Sequence, residues 1–297
     1  MKEVTGEEEE KHFLPSLSAV AALLRLEKQY GTFLVLLPAL WTLFIASEGR
    51  PDPLLVFIII FGAFLMRSAG CAINDIADRE FDPHVDRTKE RPLASGRMRF
   101  PQAVAVFVVT VLFAALLTLY FNKLAIMLSV CCLFFVILYP FTKRYVSFPQ
   151  VFLGIAFGWG SVIVWAAVRN EVAVPAFLVF LATATWAVAY DTIYAMMDIE
   201  DDLKVGVKST AILFGRHVKE VVAVFFAATI LLLIGVGISA GLGLVYYISL
   251  IIASAFFVWQ VLLTVGGMDR ETAFRSFKSN VLAGFIILAG VIGNYFL

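Results

Sequence analysis

Charged side chains are scarce in this sequence. Asp, Glu, Lys and Arg make up only 15% of its 297 residues, acidic and basic residues are equal in number, and the formal net charge is zero. Hydrophobic residues make up 61%, and the mean hydropathy is +0.90. Soluble domains carry about 25% charged and about 45–50% apolar residues. The composition is therefore that of a membrane protein, and the balanced charge gives no basic footprint for nucleic acid.

Cysteine and histidine are also rare, with three residues of each. Cys131 and Cys132 are adjacent within an apolar run, and Cys71 lies near the end of another. No spacing typical of a disulfide framework or of a zinc site is present. Any metal ion would therefore have to be held by oxygen ligands.

The abundant apolar residues fall into runs of about 17 to 25, the length of a helix that crosses the hydrocarbon core of a bilayer. The sequence predicts an all-α, polytopic membrane protein with nine transmembrane helices. The predicted spans are Phe33–Ser47, Pro53–Ala72, Ala103–Phe121, Leu124–Phe141, Val151–Val168, Val174–Met196, Val218–Ile238, Leu244–Val265 and Asn280–Leu297.

Residues 13–297 are predicted to form one integral-membrane domain, which opens with an amphipathic segment, Phe13–Leu26, at the membrane surface. Residues 1–12 contain the acidic run Glu7–Glu10, and we expect a disordered tail there. This start resembles neither a secretory signal nor an Arg-rich transit peptide. It favours a prokaryotic plasma membrane, which in many bacteria is the inner membrane.

The distribution of positive charge predicts the orientation. With the N-terminus in the cytosol, only Arg50, Lys123 and Arg169 of the 23 Lys and Arg face outward. Positive residues accumulate in cytosolic loops, so we expect the N-terminus and the long loops to be cytosolic.

Asp and Asn cluster where the second span ends, in the pattern Asn-Asp-x-x-Asp-x-x-x-Asp. If the helix continues to Asp82, then Asn74, Asp75, Asp78 and Asp82 lie within about 100° of one another around its axis. Arg67, two turns earlier, shares that face. The pattern predicts one polar stripe.

A second acidic cluster stands at the inner end of the sixth span. On a continuous helix Asp191, Asp198 and Asp202 fall within about 40° of one another, with Tyr194 beside them. A small rotation of the helix would exchange Asp202 for Asp201 or Glu200. Asp86, Glu200 and Asp201 are otherwise expected to be solvated.

Aspartates in a membrane helix are costly, about 2.5–3.5 kcal/mol each at the bilayer centre, and grouped carboxylates repel one another. A divalent cation relieves both costs. Oxygen ligands favour Mg²⁺, which prefers one or two carboxylates together with phosphate oxygens. The two clusters therefore predict a phosphorylated substrate held between them by Mg²⁺.

Basic residues surround both clusters, and some are expected to receive phosphate oxygens, Arg by bidentate contact and Lys as a point charge. The candidate substrate contacts are Arg67, Asn74, Arg79, Arg87, Arg91, Lys143, Arg144, Asp191, Tyr194 and Lys204. Aromatic residues either pack or stabilise a developing cation through their π faces. Those considered are Phe157, Trp159, Trp165, Trp186, Tyr190 and Tyr194.

The first cluster, followed by Asp86-Arg87-x-x-x-Arg91-Pro-Leu, resembles the first signature of the UbiA superfamily of intramembrane prenyltransferases, and the second cluster resembles its second signature. Shorter motifs are similar to the 4-hydroxybenzoate polyprenyltransferase branch: Met66-Arg-Ser-Ala-Gly-Cys71, Tyr190-Asp-Thr-x-Tyr-Ala-Met196 and Lys208-Ser-Thr-Ala-x-Leu-Phe-Gly215. The likeness runs from about Arg25 to the last span.

The resemblance implies nine helices around a central cavity capped on the cytosolic side, where Mg²⁺ binds a polyprenyl diphosphate. It implies transfer of the polyprenyl group to the ring carbon ortho to the hydroxyl of 4-hydroxybenzoate, an early step of ubiquinone synthesis. Asn74, Asp75, Asp78 and Asp82 would hold one Mg²⁺, and Asp198 and Asp202 a second. Asp191 would ligate metal or orient the phenol, and Asp75, Asp78, Asp191 and Asp198 would be catalytic.

Three alternatives stay open. In the first, the acceptor is another aromatic acid or a quinone precursor, and in the second it is a glycerol phosphate ether lipid. A secondary transporter is a more distant alternative, because transporters place carboxylates near the bilayer midplane and these lie at the ends of spans. No obligate protein partner is evident from the sequence.

Overall fold

A computed structural model describes residues 14–296, which form helices and connecting turns without any strand. The predicted tail at 1–12 lies outside the described residues, as do Phe13 and Leu297. The helices are α1 (Leu17–Leu23), α2 (Tyr30–Ala46), α3 (Pro53–Asp78), α4 (Phe100–Thr118), α5 (Lys123–Thr142), α6 (Pro149–Arg169), α7 (Val174–Ala195), α8 (Ile199–Val205), α9 (Thr210–Phe214), α10 (Val218–Ala240), α11 (Leu244–Leu263) and α12 (Arg270–Phe296).

Nine of these helices coincide with the nine predicted spans. Within the described residues, eight helical segments are long and apolar enough to cross a membrane, and α2 is a further apolar helix of 17 residues. That length is about the shortest that spans a hydrocarbon core. The prediction of an all-α, polytopic membrane protein is confirmed.

The turns at one end of the bundle are short and tightly capped. The Asp52 carboxylate accepts the Leu54 amide at the start of α3, and the Asn122 side chain accepts the Ala125 amide at the start of α5. Asn170 and Gly241 end α6 and α10 in the left-handed conformation, which closes a helix in few residues. The two long connections, residues 79–99 and 196–217, lie at the other end, here called the polar end, together with residues 143–148 and 264–269.

The core of the bundle depends on close helix contacts. At Gly154 and Gly158 of α6 an added Cβ would lie 2.6 Å from the carbonyl oxygen of Ala184 and 2.5 Å from that of Phe180, both on α7. Small residues allow such approach between membrane helices. The stacked indoles of Trp41 and Trp186 fill the space between α2 and α7.

The prediction that the second helix continues to Asp82 is wrong. α3 ends at Asp78, and residues Asp82–His84 form a separate 3-10 turn. Pro83 explains the break, because proline has no amide hydrogen to bond the carbonyl of Arg79 and also disfavours a helical residue before it.

The second acidic segment is also not one continuous α-helix. α7 ends at Ala195, a 3-10 turn covers Met196–Asp198, and α8 begins at Ile199. A 3-10 turn advances by three residues per turn instead of about 3.6, so it rotates the residues that follow. The direction of Asp198 and Asp202 is therefore set by this turn.

Candidate active site

A cavity of about 1020 Å³ opens at the polar end and extends into the bundle. Its walls come from α2 to α7 and from the start of α12. All six predicted metal ligands line it: Asn74, Asp75, Asp78, Asp82, Asp198 and Asp202. Away from these residues the lining is mainly aliphatic and aromatic, so the cavity has a charged head and an apolar body.

The first acidic cluster is buried at the head of the cavity. The exposed fractions of Asp75, Asp78 and Asp82 are 0%, 9% and 5%. Asn74 donates to the Asp78 carboxylate at 3.0 Å. The last turn of α3 presents Asn74, Asp75 and Asp78 together, and the separate turn after it brings Asp82 to the same place.

Arg91 joins the three carboxylates of this cluster. Its Nη1 lies 3.0 and 2.9 Å from the two oxygens of Asp82, 3.3 Å from Asp75 Oδ1 and 4.0 Å from Asp78 Oδ2. Burial raises the pKa of Asp82 although the Arg91 guanidinium opposes the shift. Arg91 therefore offsets part of the negative charge of the three carboxylates.

Lys143 approaches the same cluster from the end of α5. Its Nζ donates to Asp78 Oδ2 at 2.9 Å and to Asn74 Oδ1 at 3.0 Å. Burial opposes the charge of the ammonium group, but the Asp78 carboxylate and Tyr139 together outweigh burial and raise the pKa of Lys143. Lys143 is therefore a protonated cation at neutral pH.

Arg25 is a site residue that the sequence reasoning did not single out. It follows α1 with φ of 55°, and its Nη2 donates to Asp75 Oδ1 at 2.7 Å. α1 itself packs on α3 through Ala19 and Leu23. An Arg at the end of a predicted amphipathic segment was the available signal, but no spacing in the sequence links it to a residue 50 positions away.

The second acidic cluster faces the first across the head of the cavity. Asp191, Tyr194, Asp198 and Asp202 all line it. Arg87, from the long connection after α3, places Nε 3.0 Å from both oxygens of Asp198 and donates to the Tyr194 hydroxyl at 3.0 Å. The connection after the second span therefore reaches the second cluster directly.

Asp202, Asp201 and Glu200 differ in their surroundings. Asp202 lines the cavity, whereas Asp201 and Glu200 do not. Asp201 pairs with Arg270 at 3.0 Å and with Lys204 at 3.2 Å. Of the three acidic residues, Asp202 is the one that is turned toward the cavity.

Three predicted substrate contacts do not line the cavity. Arg79 pairs with the exposed Glu80 at 2.8 Å, and Lys204 pairs with Asp201. Arg144 donates to the carbonyl oxygen of Ala77 and lies over the Phe81 ring. Each of these cations has a nearer partner than the cavity, so the structure does not bring them to the site.

Arg67 lies on the cavity wall below the two clusters. Its Nη1 donates to Cys71 Sγ, its Nε is buried without a hydrogen-bond partner, and no carboxylate forms an ion pair with it among the described residues. The buried Tyr190 hydroxyl nearby also lacks a partner. The site thus contains a partly buried cation that forms no ion pair with a carboxylate among the described residues.

The predicted aromatic residues divide into two groups. Phe157, Tyr190 and Tyr194 line the cavity, while Trp159, Trp165 and Trp186 do not. Trp159 donates to the Leu128 carbonyl at 3.0 Å, and Trp186 donates to Asn280 at 2.8 Å in the core.

The head of the cavity has the chemistry of a divalent-cation site. Its donors are carboxylate and amide oxygens, which suit Mg²⁺, and Asp75 Oδ2 is buried without a hydrogen-bond partner. Over residues 14–296, no three Asp, Glu, His or Cys side chains stand close enough together to hold a metal ion in this arrangement. Arg25, Arg87, Arg91 and Lys143 form ion pairs with these carboxylates instead.

Sequence comparison identifies the family. The sequence model of the UbiA prenyltransferase family matches residues 35–287. The chain is 46% identical to a 4-hydroxybenzoate octaprenyltransferase of Methylococcus capsulatus, over 92% of this chain and 93% of that protein. It is also 46% identical to the protein of the same name from Aeromonas salmonicida, over 94% and 96%.

Solved structures share the fold. A UbiA homolog from Aeropyrum pernix K1 is 25% identical with a TM-score of 0.76, covering 88% of this chain and 97% of that one. A UbiA homolog from Archaeoglobus fulgidus, solved with GPP and Mg²⁺, is 16% identical with a TM-score of 0.67, covering 94% and 100%. This chain therefore belongs to the UbiA prenyltransferase family.

Proposed function

We propose that this protein transfers a polyprenyl group from polyprenyl diphosphate to the ring carbon ortho to the hydroxyl of 4-hydroxybenzoate, a step of ubiquinone synthesis. The observation that carries the proposal is the pair of buried aspartate clusters at the head of a cavity whose body is apolar. A charged head suits a diphosphate, and an apolar body suits a prenyl chain. The names of the relatives with 46% identity support 4-hydroxybenzoate as the acceptor.

Asn74, Asp75, Asp78 and Asp82 would hold one Mg²⁺, and Asp198 and Asp202 a second. When bound, Mg²⁺ would neutralise diphosphate oxygens and so make diphosphate a better leaving group. The cations that now pair with these carboxylates would turn to the diphosphate. Arg87 and Arg91 provide forked donors and Lys143 a point charge, so the charge of the head stays balanced when substrate enters.

Arg67, below the two acidic clusters, provides a place for the carboxylate of the acceptor. Arg67 is partly buried and forms no ion pair with a carboxylate among the described residues, so we place the carboxylate of 4-hydroxybenzoate there. Asp191 also lines the cavity, and the Gln150 side chain contacts it. Asp191 is then available to accept a hydrogen bond from the phenol hydroxyl and to orient the ring.

The reaction exchanges one bond for another. The carbon–oxygen bond breaks and diphosphate leaves with the bonding electrons, the ring carbon forms a bond to the allylic carbon, and the ring proton passes to the released diphosphate. The apolar walls shield the allylic cation from water. Tyr194 lines the cavity beside Phe277, with their ring centroids 4.7 Å apart, and its π face would stabilise positive charge.

We further propose that the polar end faces the cytosol and that the protein resides in a bacterial inner membrane. The polar end contains most of the Lys and Arg residues, including Arg87, Arg91 and Lys143. Positive residues accumulate on the cytosolic side of membrane proteins. This orientation gives the water-soluble acceptor direct access to the head of the cavity.

The test is product analysis with purified protein in detergent, supplied with geranyl diphosphate, 4-hydroxybenzoate and Mg²⁺. We expect prenylated hydroxybenzoate from the wild type and from Asp86→Ala, whose carboxylate is exposed and pairs with Lys89. Asp75→Ala and Asp198→Ala should form almost none. Consumption of the diphosphate only with a different acceptor would overturn the choice of substrate, and no consumption with any acceptor would overturn the enzymatic proposal.

A further inference from the structure

The guanidinium group of Arg67, on α3, lies against α2 at Gly31. A Cβ atom added to Gly31 would lie 2.6 Å from Nη2 and 2.8 Å from Cζ of Arg67, and closer still to Nε. Heavy atoms that are not bonded pack at about 3.5–4.0 Å. The guanidinium group can therefore occupy this position only because residue 31 has no side chain.

The backbone of α2 does not itself require a glycine here. Gly31 is a buried residue in the first turn of α2, and its φ is not positive. Alanine favours a helix over glycine by about 1 kcal/mol in a helix interior. The contact with Arg67 is therefore the feature of this position that calls for glycine.

The other contacts of the guanidinium group leave one nitrogen open. Nη1 of Arg67 donates to Cys71 Sγ, and Nε is buried without a hydrogen-bond partner. Nη2 has no hydrogen-bond partner in the described part of the chain and is not buried. Because Gly31 places no atom beside Nη2 and Arg67 lines the cavity, this nitrogen can donate to a ligand.

The start of α2 is held in place by hydrogen bonds. Arg25, before α2, donates to Asp75 of α3 at 2.7 Å. The Gln29 side chain donates to the Arg25 carbonyl oxygen at 2.9 Å, and the Thr32 hydroxyl donates to Gln29 Oε1 at 2.5 Å. A methyl group added to Gly31 would therefore displace the flexible arginine side chain more easily than the helix.

We infer that Gly31 is a positioning residue for the acceptor substrate, because its missing side chain leaves room for the Arg67 guanidinium group and keeps Nη2 open to the acceptor carboxylate. This inference rests on the proposed function, in which Arg67 binds that carboxylate. An added methyl group would move the guanidinium group by about 1 Å to reach an ordinary contact distance. It would also cover Nη2, so both effects weaken binding of the acceptor.

The first experiment measures KM for 4-hydroxybenzoate and KM for geranyl diphosphate separately in Gly31→Ala, with Mg²⁺ present. We expect KM for 4-hydroxybenzoate to rise by about 10- to 10²-fold, the usual effect of losing a hydrogen bond to a charged group. KM for geranyl diphosphate should stay at the wild-type value. An unchanged KM for 4-hydroxybenzoate, or an equal rise for both substrates, would overturn the inference.

The matched control is Gly235→Ala, the same substitution in α10. Gly235 does not line the cavity, and its Cβ would meet only the Leu178 side chain, at an ordinary distance of 3.4 Å. We expect wild-type KM values for both substrates in this variant. Thermal unfolding in detergent should show that Gly31→Ala is folded, because alanine suits the helix and only a side chain has to move.

A second experiment tests whether Gly31 acts through Arg67. Arg67→Ala should itself raise KM for 4-hydroxybenzoate. Gly31→Ala should add nothing in the Arg67→Ala background, because its methyl group then meets no guanidinium group. Residues in contact give such non-additive effects, whereas independent sites give additive ones. Additive effects of the two substitutions would overturn the inference.

Failure of the proposed function would give a different result. The wild type would then form no product from geranyl diphosphate and 4-hydroxybenzoate. If only the present inference fails, the wild type forms product and Gly31→Ala has the same KM for 4-hydroxybenzoate.

Discussion

Arg87 forms an ion pair with Asp198, which lies 111 residues later in the chain. Its Nε is 3.0 Å from both carboxylate oxygens, and its Nη2 is 2.6 Å from Oδ2. The same guanidinium lies 5.2 Å from the centre of the Tyr194 ring. Burial opposes its charge, but Tyr194 and Asp198 outweigh burial, and the pKa of Arg87 is raised. This contact joins the connection after α3, which also contains Asp82 and Arg91 of the first cluster, to the second acidic cluster.

The first prediction concerns the ion pair between Arg87 and Asp198. Arg87→Ala should lower kcat/KM by about 10²- to 10³-fold, the usual effect of removing one preorganised donor from a site of developing negative charge. The kcat/KM of Arg87→Lys should fall between those of the wild type and Arg87→Ala, because Lys keeps the positive charge but cannot make the bidentate contact. Steady-state kinetics measure both. The control is Arg79→Ala, outside the cavity; equal effects of the two alanine variants would contradict the assignment.

The second prediction concerns the divalent cation. Chelation should abolish prenyl transfer, and added Mg²⁺ should restore it. Asp78→Asn should raise the Mg²⁺ concentration needed for half-maximal activity by about tenfold or more, because it removes one charged oxygen donor. The Mg²⁺ titration of each variant measures this shift. Asp86→Asn is the control, and the same Mg²⁺ requirement in both variants would argue against Asp78 as a ligand.

The third prediction concerns Arg25. Its removal leaves the fully buried Asp75 with Arg91 at 3.3 Å as its remaining ion-pair partner. We expect Arg25→Ala to lose about 1.5–3 kcal/mol of stability, the range for a hydrogen bond to a charged group. Thermal unfolding in detergent measures this loss.

A ligand that binds the folded state stabilises wild type and variant alike, so the test is whether the shift is larger in Arg25→Ala than in the wild type. If Asp75 binds Mg²⁺, then Mg²⁺ with a prenyl diphosphate should restore most of the lost stability of Arg25→Ala, because the metal replaces the missing cation. Arg25→Lys should need less rescue. Destabilisation of Arg25→Ala that the ligands do not change would contradict the placement of Asp75 in the metal site.

The fourth prediction concerns packing between α6 and α7. In Gly158→Ala the new Cβ would meet the Phe180 carbonyl at 2.5 Å, so the helix backbones must separate. We expect a loss of about 1–3 kcal/mol, as for an overpacked core. Gly160→Ala is the matched control, because nothing lies within 4 Å of its Cβ. Thermal unfolding of the two variants should differ, and equal midpoints would contradict this packing.

Much of the fold could be predicted because the bilayer constrains it strongly. A spanning helix requires a long apolar run, and runs such as Val218–Ile238 and Leu244–Val265 read directly as α10 and α11. The same criterion missed the polar ends of helices: α12 begins at Arg270 rather than at Asn280. Backbone hydrogen bonds continue where hydropathy falls, so helix ends do not follow the apolar pattern.

The sequence by itself determined the all-helical membrane class, the family and the residue types of the two acidic clusters, because apolar run length and local spacing are properties of neighbouring residues. Only the tertiary structure decided which residues meet. It brought Arg25 to Asp75 and Arg87 to Asp198, turned Asp202 inward and Asp201 toward Arg270, and left Arg79, Arg144 and Lys204 outside the cavity. Those outcomes depend on where α3 and α7 end and on how distant helices pack, and no local spacing encodes the distance between residues far apart in the chain.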